Sequence, residues 1–416
     1  MPRTARPRRP GAALAALSCC VALGCGTGTV PAGARPTQPP GVPAGSGQDV
    51  VTWAASADRV GEAARADRGY RLMVRTSVGG SGLRVRLSNA FGDQPVTFGS
   101  VRAGLRRDGA ALVPGSNRPV TFGGATGVTV PAGGLVLSDP LPGHVPGASD
   151  LAVSLYVTRA GGTLTGHGMA LKTSYISDGD HTAEEGATHW TQRTGSWFHL
   201  DAVTVRPRKG TAAVAALGDS LTDGRQSTAE RDRRWPDYLA RRLAKSTSGT
   251  VEGVANEGIS GNRVLTDGPE QSALDRLSRD VLSLPGVRTV FLFQGVNDIK
   301  ADPAPTAARL IAGYRTLIDR AHAAGRCVVG ATIAPFKGWP EWDPAAEAVR
   351  REVNAFIRDG GAFDAVTDFD CVLRSPSDPE RMLPVFDGGD HIHPNDKGMR
   401  AMADAVDLDS LECRPG

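Results

Sequence analysis

Four short segments carry residue types able to do acyl chemistry. Val214-Ala-Ala-Leu-Gly218-Asp219-Ser220-Leu221-Thr222-Asp223-Gly224 runs an apolar stretch into Gly-Asp-Ser and then into a Gly-bearing turn. A serine at the C-terminal end of a strand stands exposed with its own N–H unused, which is where a nucleophile belongs. The plainer reading is a strand-to-helix turn with a capping serine. Asn256-Glu-Gly258-Ile-Ser-Gly261-Asn262 and Gly295-Val296-Asn297-Asp298 each follow a later apolar run. Alone, each reads as a turn with a capping Asn. Asp390-His391-Ile392-His393-Pro394 opens the last helical stretch. Asp390 and His393 are three apart in a Gly-rich turn, so their side chains can meet. A carboxylate on one imidazole nitrogen leaves the other to take a serine proton. Neither a G-x-S-x-G elbow nor a G-x-x-x-x-G-K-[ST] phosphate loop occurs.

These segments need strand ends to present them. Residues 211–416 alternate short apolar runs with helical stretches. Val214–Leu217, Val251–Ala255, Val290–Phe293, Val328–Ile333 and Ala365–Phe369 read as strands. Pro236–Ala244, Ala273–Leu282, Thr306–Ala324, Pro344–Arg358 and Asp396–Val406 read as helices. That alternation predicts a parallel sheet with helices on both faces and a site at the strands' carboxyl ends. Residues 50–207 instead show short alternating strands (70–76, 83–87, 120–122, 128–130 and 151–157) split by Gly, Pro, Asn and Asp. They predict an all-β sandwich of jelly-roll type. Its five histidines, His144, His167, His181, His189 and His199, lack tight ligand spacing and read as ordinary core or surface residues.

In this order and at these strand ends, the four segments resemble the sequence blocks of the SGNH/GDSL hydrolase superfamily, over residues 211 to about 408. The whole chain resembles an exported bacterial subfamily of arylesterase-like and polysaccharide-associated acylhydrolases. The resemblance implies a flavodoxin-like three-layer α/β/α domain with Ser220 as nucleophile, His393 as general base and Asp390 orienting it. It implies an oxyanion hole made by the N–H of Ser220, the N–H of Gly261 and the side-chain amide of Asn297, with no cofactor. Three such donors stabilise a tetrahedral intermediate, each typically by about 3–4 kcal/mol.

Other readings use the same residues. Asp390, His391, His393 and Asp396 form a possible metal cluster, although no metal is expected. Cys327 and Cys371 lack a nearby base. Acyl transfer to an alcohol and lipase or phospholipase chemistry would need the same triad, and a dead hydrolase half would leave a glycan-binding protein. From Asn297 to Asp390 is 93 residues, including Phe336-Lys-Gly-Trp339-Pro-Glu-Trp342, whose Trp339 and Trp342 are candidates to line a substrate pocket. No long apolar helix offers a lipase lid. Short acyl or aryl esters, some on carbohydrate, are the expected substrates of a monomer.

Composition narrows the partners. The chain has 416 residues with a formal charge of +3, but its first 35 residues hold Arg3, Arg6, Arg8, Arg9 and Arg35 and no acid. The remainder carries 42 basic against 44 acidic residues, so no nucleic-acid role is expected. The 14-residue apolar run of residues 11–24 is short for a membrane span but suits a signal peptide. Residues 1–34 are read as that signal, with Ala32-Gly33-Ala34 as the cleavage site, and 35–49 as a flexible leader. Export to the extracellular space follows, with lipid attachment at Cys25 as a variant. Three cysteines then remain. Cys327 starts the fourth strand and Cys371 follows the fifth. The last helix runs back from the site, so Cys413 should land near Cys327 and form a Cys327–Cys413 disulfide.

Overall fold

A computed structural model describes residues 49–301 and 306–412. The expected signal, the Cys25 site and most of the leader lie outside the described residues, as does Cys413. Asp49, placed at the end of the leader, is already part of the fold. It is buried between Arg84 and Arg206, with carboxylate contacts of 3.2 and 3.3 Å.

Ala212-Ala-Val-Ala-Ala-Leu-Gly218 forms β1, and every one of its residues is buried. Unbroken small and apolar residues fit a strand covered on both faces. It is flanked in parallel by β2 (Val251–Gly258) and β3 (Val287–Phe293). With β4 (Cys327–Ala331) and β5 (Ala365–Thr367) the order is β2-β1-β3-β4-β5. This is the doubly wound order that opens a crevice beside β1. α1 (Ser220–Asp223), α2 (Trp235–Leu243), α3 (Ala273–Leu277), α4 (Val296–Ile299), α5 (Ala307–Ala323), α6 (Pro344–Asp359), α7 (Phe369–Leu373) and α8 (Asp396–Ala405) complete the α/β half. α2, α7 and α8 pack together, as do α3, α5 and α6, giving the two helical layers.

Among the boundaries that differ from the expected ones, two have a plain local cause. The fifth strand stops at Thr367 because Asp368 caps α7, accepting from the N–H of Cys371. The helix expected through Leu282 changes at Ser278 into a π turn.

Residues 50–206 form antiparallel sheets. One orders the strands Val50–Ala54, Leu200–Arg206, Gly80–Ser88 and Leu141–Val145; another centres on Arg68–Arg75, Asp150–Arg159 and Val96–Asp108. Leu83, Val85 and Leu87 point into the sandwich core with Leu72, Phe98, Val153 and Val203. The expected strand at 120–122 is reduced to a bridge from Phe122 to Ala125.

Alternation along Gly80–Ser88 should send Arg86 to water, yet it is buried. It donates to Asp201 at 2.9 Å and to Ser283 of the α/β half at 2.9 Å. The outer face of this sheet is therefore covered by the second half of the chain. Val50, Val51 and Ala54 belong to the core around the parallel sheet, although their strand pairs in the sandwich.

Candidate active site

The site gathers at the carboxyl ends of β1, β2 and β3. β1 ends at Gly218, and Asp219 then caps α1 by accepting from the N–H of Leu221 at 3.0 Å. Burial pushes the Asp219 carboxyl up to about 7. The cap places Ser220 first in the helix, and among the described residues its N–H meets no acceptor. That is the expected state of a first-turn N–H.

Ser220 Oγ lies 2.8 Å from His393 Nε2. His393 Nδ1 lies 2.7 Å from Asp390 Oδ2. A carboxylate on Nδ1 holds the proton there, leaving Nε2 to accept from the serine hydroxyl. Asp390 Oδ1 accepts from the backbone N–H of His393 at 2.9 Å and of Ile392 at 3.3 Å. Gln226 donates to Oδ2 at 3.2 Å. Burial alone would raise the Asp390 carboxyl, but these donors, His393 foremost, hold it at about 2. Burial lowers His393 below the usual imidazole value, with Arg225 and Lys300 adding to the effect and Asp390 opposing it.

The second block turns at Ile259-Ser260-Gly261-Asn262, where Asn262 N–H donates to Ile259 O at 3.1 Å. Gly261 sits third in that turn at φ +87°, a conformation that a side chain disfavours. Its N–H has no acceptor among the described residues. Asn297 Nδ2 donates to the carbonyl of Asn262 at 3.0 Å, so it stands beside the same turn. Asp298 fastens α4 there by accepting from Val264 N–H at 2.8 Å and Leu265 N–H at 3.0 Å. Burial pushes the Asp298 carboxyl up to about 6.

Gly258 is required by close approach, because a Cβ there would fall 2.2 Å from the N of Asp223. Asn256 donates to Thr222 O at 2.8 Å, tying β2 to α1.

Trp339 meets His393 edge-on, with ring centroids 5.9 Å apart at 88°, and carries the Lys300 ammonium 4.5 Å over its face. Trp342 lies one turn further on, under Lys337. It makes no contact with Ser220 or His393 among those described. His391 turns away from Ser220 and His393, its Nδ1 2.6 Å from Asp387 Oδ2. Its ring packs within 3.1 Å of where a Gly338 Cβ would stand, so it props the Trp339 loop. Asp396 is taken up by Thr228 and Arg233. Asp390, His391, His393 and Asp396 thus do not converge on one point. Cys327 is buried in β4, and Cys371 is exposed at α7. The register neighbour of Cys327 is Thr289, whose hydroxyl donates to Leu411 O at 2.7 Å.

Several residues in this arrangement escaped the reading of the sequence. Arg276, wholly buried, donates to Gly218 O at 2.8 Å, Asn262 Oδ1 at 2.8 Å and Ser56 Oγ at 2.7 Å. Asp223 accepts from the N–H and hydroxyl of Ser260 at 3.0 and 2.8 Å. On its other side, Asp223 meets His167 of the sandwich at 3.0 Å. Asp223, Asn262 and Asp298 adjoin the residues singled out above, which was the available signal. Arg276, Gln226 and His167 had none.

Residues 216–401 match the profile of the GDSL-like lipase/acylhydrolase family, and the α/β half of this chain is a serine acylhydrolase domain of that family. The chain is similar in structure to the aryl esterase of M. smegmatis (21% identity, 47% of this chain and 96% of that one, TM-score 0.38). It is also similar to a GDSL-like lipase from Bacteroides thetaiotaomicron (18%, 50% and 90%, 0.39). A third likeness is Est24, a carbohydrate acetylesterase from Sinorhizobium meliloti (19%, 46% and 95%, 0.37). No curated protein sequence matches the chain. Among the described residues no helix is long and apolar enough to cross a membrane.

Proposed function

We propose that this protein is an exported serine esterase acting on short acyl esters of aryl or carbohydrate alcohols through Ser220, His393 and Asp390. The observation that carries the reading is the unbroken line Ser220 Oγ–His393 Nε2 at 2.8 Å and His393 Nδ1–Asp390 at 2.7 Å. His393 takes the Ser220 proton as Oγ bonds to the ester carbonyl carbon. The carbonyl oxygen becomes an oxyanion facing the N–H groups of Ser220 and Gly261 and the amide of Asn297. Collapse expels the alcohol, which takes the proton from His393 and leaves an acyl-serine. Water, deprotonated by His393, then releases the acid and restores Ser220. Asp390 stays ionised throughout and stabilises the imidazolium.

Short acyl groups are read from the sequence, in which no long apolar helix offers a lid. The indole of Trp339 stands at the base's edge, where a planar alcohol group would stack. Export rests on the N-terminal signal and leader read from the sequence.

Ser220→Ala should abolish p-nitrophenyl acetate hydrolysis in a folded protein, and wild-type turnover should fall from acetate towards palmitate. Turnover retained in Ser220→Ala would overturn the triad, and a palmitate preference would overturn the substrate class.

A further inference from the structure

Outside the hydrolase site, one loop of the sandwich brings three ligating side chains together. His181 and His189 lie between the strands Ser174–Asp178 and Gln192–Thr194. Their rings stack 4.0 Å apart at 14°. His181 Nδ1 is 2.7 Å from Glu184 Oε1, and His189 Nδ1 is 2.8 Å from Glu184 Oε2. All three ligand atoms lie within 4.8 Å of one another.

The loop is held in place from below. Glu184 N–H donates to His181 O at 3.1 Å. Arg71, wholly buried, donates to the carbonyls of Ala110 at 2.8 Å, Glu184 at 2.5 Å and Gly186 at 3.2 Å. Its guanidinium lies 4.2 Å over Trp190, and Asn117 donates to Thr182 O at 2.9 Å. The backbone is therefore ordered before any ligand arrives, while the three side chains remain 25–52% exposed and open to solvent.

Charge decides what belongs there. One carboxylate can neutralise one imidazolium, and two stacked imidazolium rings would repel each other. A neutral imidazole carries one lone pair, and a change of tautomer from Nδ1–H to Nε2–H turns it towards the carboxylate. Two nitrogens and one oxygen suit a borderline transition ion and are poor ligands for calcium or magnesium. Zinc bonds of about 2.0–2.1 Å place tetrahedral ligands about 3.3 Å apart, so each imidazole nitrogen needs to part from its Glu184 oxygen by less than about 1 Å. We propose that His181, Glu184 and His189 bind one divalent ion of the zinc class, with water at the open position, clipping this loop. On binding, each neutral ring carries its proton on Nε2 in place of Nδ1, so Nδ1 meets the ion and no net proton leaves the ring.

The test titrates zinc chloride into chelator-stripped full-length protein by calorimetry. At pH 7.5 the expected result is one saturable equivalent with a raised Tm. Glu184→Gln and His189→Ala should each weaken it at least tenfold, as should lowering the pH to 5.5. Ester turnover should be the same with and without metal. No saturable binding at pH 7.5, or unchanged affinity in both folded variants, would overturn the proposal.

A separate observation concerns His167, on the strand Thr163–His167. Its Nδ1 faces Ser56 O at 3.1 Å and its Nε2 faces Asp223 Oδ1 at 3.0 Å. A carbonyl and a carboxylate both only accept, and although burial opposes it, the Asp223 carboxylate raises the ring above the usual imidazole value. Asp223 spends its other oxygen on Ser260, the residue before Gly261. Resting on the proposed esterase reading, we infer that His167 is a positioning residue through which the sandwich sets the Gly261 turn. His167→Leu should lower kcat at least tenfold with KM within threefold. His167→Gln, whose amide can still donate to Asp223, should recover part of the loss. Full kcat in His167→Leu, or no recovery in a folded His167→Gln, would sink this inference, whereas activity in Ser220→Ala would sink the esterase reading itself.

Discussion

Replacing Asp390 by Asn removes one charge while preserving the shape of the side chain, and the surrounding donors make its effect calculable. In the native protein Oδ1 accepts two backbone N–H groups, and Oδ2 accepts from His393 Nδ1 and Gln226 Nε2. All four partners are donors. An Asn side chain offers one oxygen and one NH2, so two donors must face a donor in either orientation. Keeping the oxygen on the backbone pair satisfies two N–H groups and turns the NH2 towards His393. The imidazole then keeps its proton on Nε2, pointing at Ser220, where it cannot act as base. In serine-protease triads this change costs about 10⁴ in kcat. Here a loss of about 10³–10⁴ is expected, or about 4–5.5 kcal/mol of barrier. The assay is p-nitrophenyl acetate turnover at saturating substrate, with the folded state checked by its melting curve. A kcat within tenfold of wild type would refute the argument that Asp390 fixes the tautomer of His393.

The lowered pKa of His393 means that the neutral, active imidazole persists below the ordinary value of 6.5. The rising limb of kcat/KM against pH should therefore fall below 6.5, and a limb above 7 would contradict the burial argument. Trp339→Ala should raise KM for aryl esters about 5- to 20-fold, the range for about 1–1.8 kcal/mol of lost stacking. Unchanged kinetics would remove Trp339 from the pocket. Arg276→Leu leaves Asp280 and the Asn262 side-chain oxygen without this donor, and should cost about 3–5 kcal/mol by urea denaturation. A loss under about 1 kcal/mol would show that the cluster is replaceable. Non-reducing peptide mapping should find Cys327 joined to Cys413, and a Cys371–Cys413 peptide would reject that path for the C-terminus.

Much of the α/β half was legible because its signals are local. A buried parallel strand needs an unbroken apolar run, and a helix needs a 3.6-residue period. Each block follows its strand directly, and the order of the four blocks carried the resemblance that points to Ser220, Gly261, Asn297 and the Asp390–His393 pair. Strand ends were misjudged where a cap intervened, as with Asp368, whose side chain starts α7 before the apolar run ends. The sandwich was legible as a class but not as a surface. Alternation assigns Leu83, Val85 and Leu87 to one face, yet it cannot tell whether Arg84 and Arg86 on the other meet water or protein.

By itself the sequence determined the two textures, the order of the four blocks and the chemistry that their residue types permit. Only the tertiary structure decided which distant residues complete them. Arg276 links Gly218, Asn262 and Ser56; His167 reaches Asp223 across 56 positions of chain; and Glu184 joins two histidines that spacing left unrelated. The physical reason is that side-chain hydrogen bonds and ion pairs act over about 3 Å in space. Periodicity reports only what lies within a few residues along one element. A charged group in a local pattern reads as exposed until another part of the chain arrives to bury and pair it.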